Sequence, residues 1–402
     1  MKLLHNKFTE TIILLPIIAF FAVSAYYFYT SYTSYSVADK SLTYSKYIGH
    51  LNTVLTEQGE EQGLVSIYLG TNGKTDYKQL EEQWQRTDDS VKELTDFVSN
   101  NSQYAQSIQP ALNALENMKE TRSKISVLNV KYDDLYIKDH ASKPNALLLK
   151  NMNIIDLKSV NNDIAALVST FSAIGSLKEA SAAERGFTSY LLSRGKPIDN
   201  DELEIWDRFI GQDMLPTYDT LSPNTLVLQL NDLLRSDQYK EIEGKLSPER
   251  IAILTNSKSS DFTTDLTEWY ELHVSKTDLL TEAQNILYDF VQVDAQERIE
   301  VEQKTMGISA FVFVLSLLLS LVVRNIFSGM ARDTEQLEEV LKNIDFESDE
   351  EDDYNLKLMV ARQNKAEIYQ LLERTIRESK ESKRLADDAN ETKSKFLANM
   401  TH

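Results

Sequence analysis

The residues best equipped for chemistry in this sequence are its few histidines. His402 closes the stretch KSKFLANMTH (393–402), where Phe396, Leu397 and Met400 fall at helical spacing. Phe396 and Met400 share one helix face, so the imidazole lies about half a turn beyond a packing seam. An imidazole changes its charge near neutral pH, which suits it to proton or group transfer. His50, His140 and His273 have no partner at a metal-like spacing and read as ordinary surface or core residues. The absence of cysteine excludes disulfides and thiolate metal sites, and it fits a domain exported from the cytoplasm.

The elements that must position these groups are helices. Only 12 glycines and 7 prolines occur in 402 residues, which favours long helices over turn-rich sheets, and 42% hydrophobic residues suffice for real cores. NNDIAALVSTFSAIGSLKEASAAERGFTSYLLS (161–193) repeats its apolar positions every three or four residues, and no segment alternates with period two over a strand length. Breaks are expected at Gly70–Asp76, at Asn100–Ser102, around Pro144, at Pro197, at Pro223 and at a helix start on Ser247. The segments HASKPN and SRGKP bracket one very long helical stretch. A net charge of -20 argues against a nucleic-acid-binding face.

Two apolar stretches are long enough to cross a bilayer. Thr11–Tyr29 and Met306–Val323 contain no charged residue, and at about 1.5 Å per residue each reaches roughly 27 Å. Lys2 and Lys7 before the first and Arg324 after the second place the N-terminus in the cytoplasm, while Tyr26, Tyr27, Phe28, Tyr29 and Tyr32 form an interfacial belt. The first stretch is long for a cleaved signal peptide and has no small-residue cleavage site before Tyr26, so it reads as a retained anchor.

An internal repeat lies between the spans. EQGLVSIYLGTNGKTDYKQLEEQWQR (61–86) lines up with ERGFTSYLLSRGKPIDNDELEIWDR (184–208), pairing Glu61 with Glu184, Gly63 with Gly186, Ser66 with Ser189 and Leu69 with Leu192. After one dropped residue, Gly73, Lys74, Trp84 and Arg86 pair with Gly195, Lys196, Trp206 and Arg208. A duplicated helix–loop–helix follows. Glycine inside a helix costs about 1 kcal/mol relative to alanine, so Gly63 and Gly186 imply a close approach, of a neighbouring helix in the commoner case or of a ligand. The tryptophans read as core anchors.

Three resemblances give these features a common meaning. FLANMTH resembles the H-box of sensor histidine kinases, which implies that His402 is the phosphate acceptor. Glu-Arg-Gly late in a long helix, then a Gly-Lys loop and a Trp-bearing helix, resembles the nitrate- and nitrite-sensing (NIT) family over roughly residues 45–290. That likeness implies a pair of four-helix bundles and an arginine in each motif as anion ligand. Arg185 matches, whereas the first motif carries Gln62. An arginine and an amide supply less charge than two guanidinium groups but keep the donors. The segment after the second span resembles a degraded HAMP linker, with Glu367-Ile368 at the family's acidic-Ile position and without the usual early proline; its acidic run Asp345–Asp353 is a solvated connector.

The expected molecule is therefore all-α. Residues 1–10 are a cytoplasmic N-terminus, 11–29 and 306–323 two transmembrane helices, and 30–305 an exported, duplicated four-helix-bundle sensor. Residues 324–380 are the HAMP-like linker and 381–402 the start of a dimerisation helix. Ile368, Leu372, Thr375, Leu385, Ala389, Thr392, Phe396 and Asn399 keep the spacing of a parallel dimeric coiled coil. The implied function is that of the sensory part of a bacterial inner-membrane two-component kinase. It would detect a small, nitrate-like ligand outside the membrane and control phosphate transfer from ATP to His402, then to a response regulator or fused receiver domain. No glycine-rich nucleotide motif occurs in this sequence, so ATP would be held by a downstream domain. A chemoreceptor-like protein that signals without chemistry is the alternative, and the residues following His402 would distinguish the two.

Overall fold

The computed structural model describes residues 2–75, 77–132, 135, 142–153, 162–342 and 365–400. Ten α-helices account for nearly all of them: α1 (Lys2–Gly70), α2 (Tyr77–Asn100), α3 (Ala105–Ser126), α4 (Ser142–Met152), α5 (Asn162–Arg194), α6 (Asn200–Gly211), α7 (Asn224–Leu234), α8 (Asp237–Thr255), α9 (Leu266–Lys342) and α10 (Lys365–Met400). No strand occurs among the described residues, so the all-α expectation holds. The chain divides into two compact units, one of residues 29–306 and one of residues 1–28 with 307–402.

Local chemistry explains most helix ends. Asp199 accepts from the Glu202 amide while the Glu202 carboxylate accepts from the Asp199 amide, a reciprocal cap that starts α6. Ser236 caps α8 through the Tyr239 amide. At Gly195, just beyond α5, φ is +60° with no atom close to the missing side chain, so glycine is needed there for its backbone alone.

Two expectations about helix ends are corrected. The stretch between HASKPN and SRGKP is not one helix, because α4 stops at Met152 and α5 begins at Asn162. Ser247 does not start a helix either, since α8 runs through Pro248. Pro248 is exposed, so water can satisfy the carbonyl it leaves free. Burial of Tyr239, Ile242 and Leu246 before it and Ile253 after it outweighs a proline cost of about 3 kcal/mol, at roughly 1.5–3 kcal/mol per large apolar side chain.

Residues 29–306 form a helical bundle around one dominant core. Tyr47, Leu51 and Val54 of α1 pack there with Leu94, Ile108, Leu148, Ile174, Phe187, Leu230, Trp269, Leu280 and Leu287. A smaller cluster of Val65, Tyr68, Leu80, Ile125 and Leu135 lies beside the Gly70–Tyr77 turn. In the other unit, α1 and α9 contain the windows long and apolar enough to cross a membrane. There the Phe21 and Phe313 rings meet at 4.3 Å, while Ile12, Leu15, Ile18, Phe311, Leu318 and Leu321 face outward. Apolar helices that expose such residues suit a lipid surround. His402, His140 and the HAMP-like stretch 343–364 lie outside the described residues.

Candidate functional site

The repeated motif places two long helices, α1 and α5, against each other. Both of its glycines serve helix packing. Gly186 faces Gln62 and Ser66 of α1, and a Cβ there would stand 3.1 Å from the Ser66 hydroxyl. A Cβ on Gly63 would fall 2.8 Å from the Tyr270 hydroxyl of α9.

The motif glutamates are structural. In the second copy, fully buried Glu184 receives Arg250 from α8 through Nε (2.7 Å) and Nη2 (2.6 Å), with the Trp206 indole donating at 3.2 Å. Arg250 also reaches Asp213 at 2.7 Å, which in turn is bound by Lys276. In the first copy, buried Glu61 receives Arg122 from α3 through Nε (2.9 Å) and Nη2 (2.7 Å), Asp88 takes Nη1 at 2.6 Å, and Trp84 lies under the guanidinium. The duplication therefore preserves a two-point arginine clamp on each glutamate, the strong planar form of this ion pair. Sequence reasoning missed both clamps. Buried His273 bonds Ser181 through Nδ1, and burial with Lys276, Arg250 and Arg185 nearby keeps its pKa well down, so it stays neutral. No metal-binding cluster occurs among the described residues.

One cavity of about 40 Å³ lies between α1, α5 and α9. By the space one water needs, it holds roughly three waters or a four-atom oxyanion. The register that pairs Glu61 with Glu184 also pairs three sets of its lining residues, Leu55 with Lys178, Thr56 with Glu179 and Gly59 with Ala182. Equivalent residues of both repeats thus line the cavity.

Arg185 lines this cavity and is 1% exposed. Its Nη1 donates to Glu60 at 2.9 Å, its Nη2 to the Gly59 carbonyl at 3.0 Å, and its guanidinium lies 4.7 Å from the centre of the Tyr270 ring. Its buried Nε has no hydrogen-bond partner. Gln62 is also buried, but it packs against Gly186 and is not among the lining residues. Around Arg185 stand groups the sequence did not single out: Lys178, Glu60, Glu179, Asp278, Thr277 and Thr281. Burial pushes the Glu179 carboxyl up, opposed by a hydrogen bond from Asn145. Partial burial and the neighbouring Glu60 raise Asp278. Burial also raises the Tyr270 hydroxyl to about 12, so it stays protonated near Glu60.

The fold and site define a class, an all-helical duplicated bundle whose repeats meet at a small charged cavity, flanked by two apolar helices. Residues 53–292 match the family described as nitrate and nitrite sensing, and the chain belongs to that family. The solved structure of the NasR transcription antiterminator is similar in fold, with 14% identity and a TM-score of 0.55, covering 88% of this chain and 99% of that one. No curated protein matches the chain.

Proposed function

We propose that this chain is the sensory and signalling portion of a membrane-bound two-component histidine kinase, and that its ligand is a small nitrate-like anion held in the cavity beside Arg185. The observation that carries the ligand reading is the buried guanidinium in an oxyanion-sized cavity lined by both repeats of a nitrate- and nitrite-sensing domain. Gln62 lies outside the cavity and no second guanidinium lines it, so the site binds its anion more weakly than a two-arginine site does. The two apolar helices anchor the protein in the bacterial inner membrane, with the sensor outside. The signalling part rests on FLANMTH and on the spacing of α10, whose seam residue Leu385 is 60% exposed in the single chain, in keeping with a helix that pairs in a homodimer. A response regulator or fused receiver domain takes the phosphate from His402. The sequence carries no glycine-rich nucleotide motif, so the proposal assigns ATP to a domain beyond His402.

Nitrate binding to the full chain in lipid nanodiscs tests the ligand reading. A hydrogen-bonded charged group is worth about 1.5–3 kcal/mol, so Arg185→Ala is expected to weaken binding by roughly ten- to a hundredfold. Calorimetry reads the change directly. Unchanged affinity in a folded Arg185→Ala protein would leave Arg185 as only the ion-pair partner of Glu60.

A further inference from the structure

The cavity contains a second cation that lies outside the repeated motif. Lys178 precedes Arg185 by about two turns of α5 and is 5% exposed. Its ammonium donates to Asn52 Oδ1 at 2.8 Å and to Thr56 Oγ1 at 2.9 Å, both on α1. An ammonium has three donors, so one remains beyond those to Asn52 and Thr56, while the buried Nε of Arg185 also has no partner. In the register of the repeats Lys178 stands opposite Leu55, so only one half carries this charge. The charged groups lining the same cavity are Glu60 from α1, Glu179 and Arg185 from α5 and Asp278 from α9, while Asn145 of α4 holds Glu179. Three carboxyl groups thus face two cations, and Glu60 already neutralises Arg185. With Arg185 paired to Glu60, Lys178 is the cation left to meet an arriving anion.

We propose that Lys178 is a ligand-binding residue, the second cation of the anion site in place of the guanidinium missing at Gln62, and that the anion binds together with a proton. This inference rests on the cavity being the ligand site. Burial brings the Lys178 ammonium down to about 7, with Glu179 opposing, so near neutral pH the empty site holds it partly deprotonated. An adjacent anion favours the charged form. Binding therefore takes up a proton wherever the empty site has lost one, above about pH 7, and affinity falls as pH rises through that range.

Nitrate titrations of the full chain in nanodiscs from pH 6.5 to 9 test this. The wild-type dissociation constant is expected to rise by about tenfold per pH unit above 7, the limit for one linked proton. Lys178→Arg, which keeps its charge throughout, should bind with no such slope; Lys178→Met should bind weakly and equally at every pH. Calorimetry in buffers of different ionisation enthalpy should count about one proton taken up per nitrate at pH 8 in the wild type. A wild type that binds nitrate without proton uptake at pH 8 overturns the proposal even if a Lys178 variant fails to fold. So does a Lys178→Arg protein that keeps the slope, or a Lys178→Met protein that binds like the wild type. If Arg185→Ala weakens binding while the Lys178 variants leave it untouched, Lys178 alone loses its role. If the wild type binds no nitrate at any pH, the cavity reading itself fails, and this inference with it.

Discussion

Arg250→Ala is expected to be among the most destabilising single substitutions in the sensor bundle. Glu184 is fully buried and takes both of its strong bonds from Arg250, so the truncation strands a carboxylate in the core with the Trp206 indole as its remaining hydrogen-bond donor and neutral His273 at 3.9 Å. Removing one member of a buried ion pair costs about 3–5 kcal/mol, because the remaining charge keeps its desolvation penalty and loses its compensation. The midpoint of thermal unfolding should drop by on the order of 10 °C. The deficit also has a pH signature. Burial already holds the Glu184 carboxyl above its ordinary range, and loss of Arg250 raises it further. A carboxyl raised in the folded state binds its proton more tightly there than in the unfolded chain, so the variant recovers stability as pH falls from 8 towards 5. Arg122→Ala should also destabilise the bundle by stranding buried Glu61, with a smaller loss, since its second partner, Asp88, is 45% exposed where Asp213 is 5% exposed. Equal stability of Arg250→Ala and wild type across that range would contradict the clamp.

On the proposed kinase reading, His402→Gln is expected to abolish phosphate uptake from ATP in a protein extended through the ATP-binding domain that this reading implies. Glutamine keeps a comparable polar shape but has no ring nitrogen that can accept and then release a phosphoryl group. The effect should be a complete loss of acid-labile labelling, with nitrate binding at the sensor unchanged. That second measurement separates a missing acceptor from a misfolded receptor. Labelling that persists in His402→Gln would show that FLANMTH is only the end of a coiled coil.

The sequence made the helical class and several boundaries legible because the signals were local. The Gly70–Tyr77 turn, the Asn100 stop and the Pro223 start each depend on residues within a few positions of the break. Pro248 misled because a breaker on the exposed side of a helix is overruled by the buried residues on its other face, which neighbouring residues alone do not reveal. The repeat disclosed Glu61 and Glu184 but neither arginine that clamps them. Arg122 arrives on the second helix after its motif helix, whereas Arg250 arrives on the third because α7 is inserted, so no constant spacing links the copies. Lys178 escaped for another reason. Next to Glu179 in α5 it reads as one half of a solvated charge pair, and only the approach of Asn52 and Thr56 from α1 shows it buried in a polar cavity.

Glu60 carries a further consequence. Its carboxylate already occupies one edge of the Arg185 guanidinium, with the Tyr270 ring against the same group. The receptor thus holds its own tethered competitor, and an incoming anion must share or displace a contact that is present at every ligand concentration. Each 1.4 kcal/mol of such competition moves the half-response point tenfold higher. On the proposed ligand reading, Glu60 sets the operating range, and the strength of that one internal bond is enough to retune the threshold.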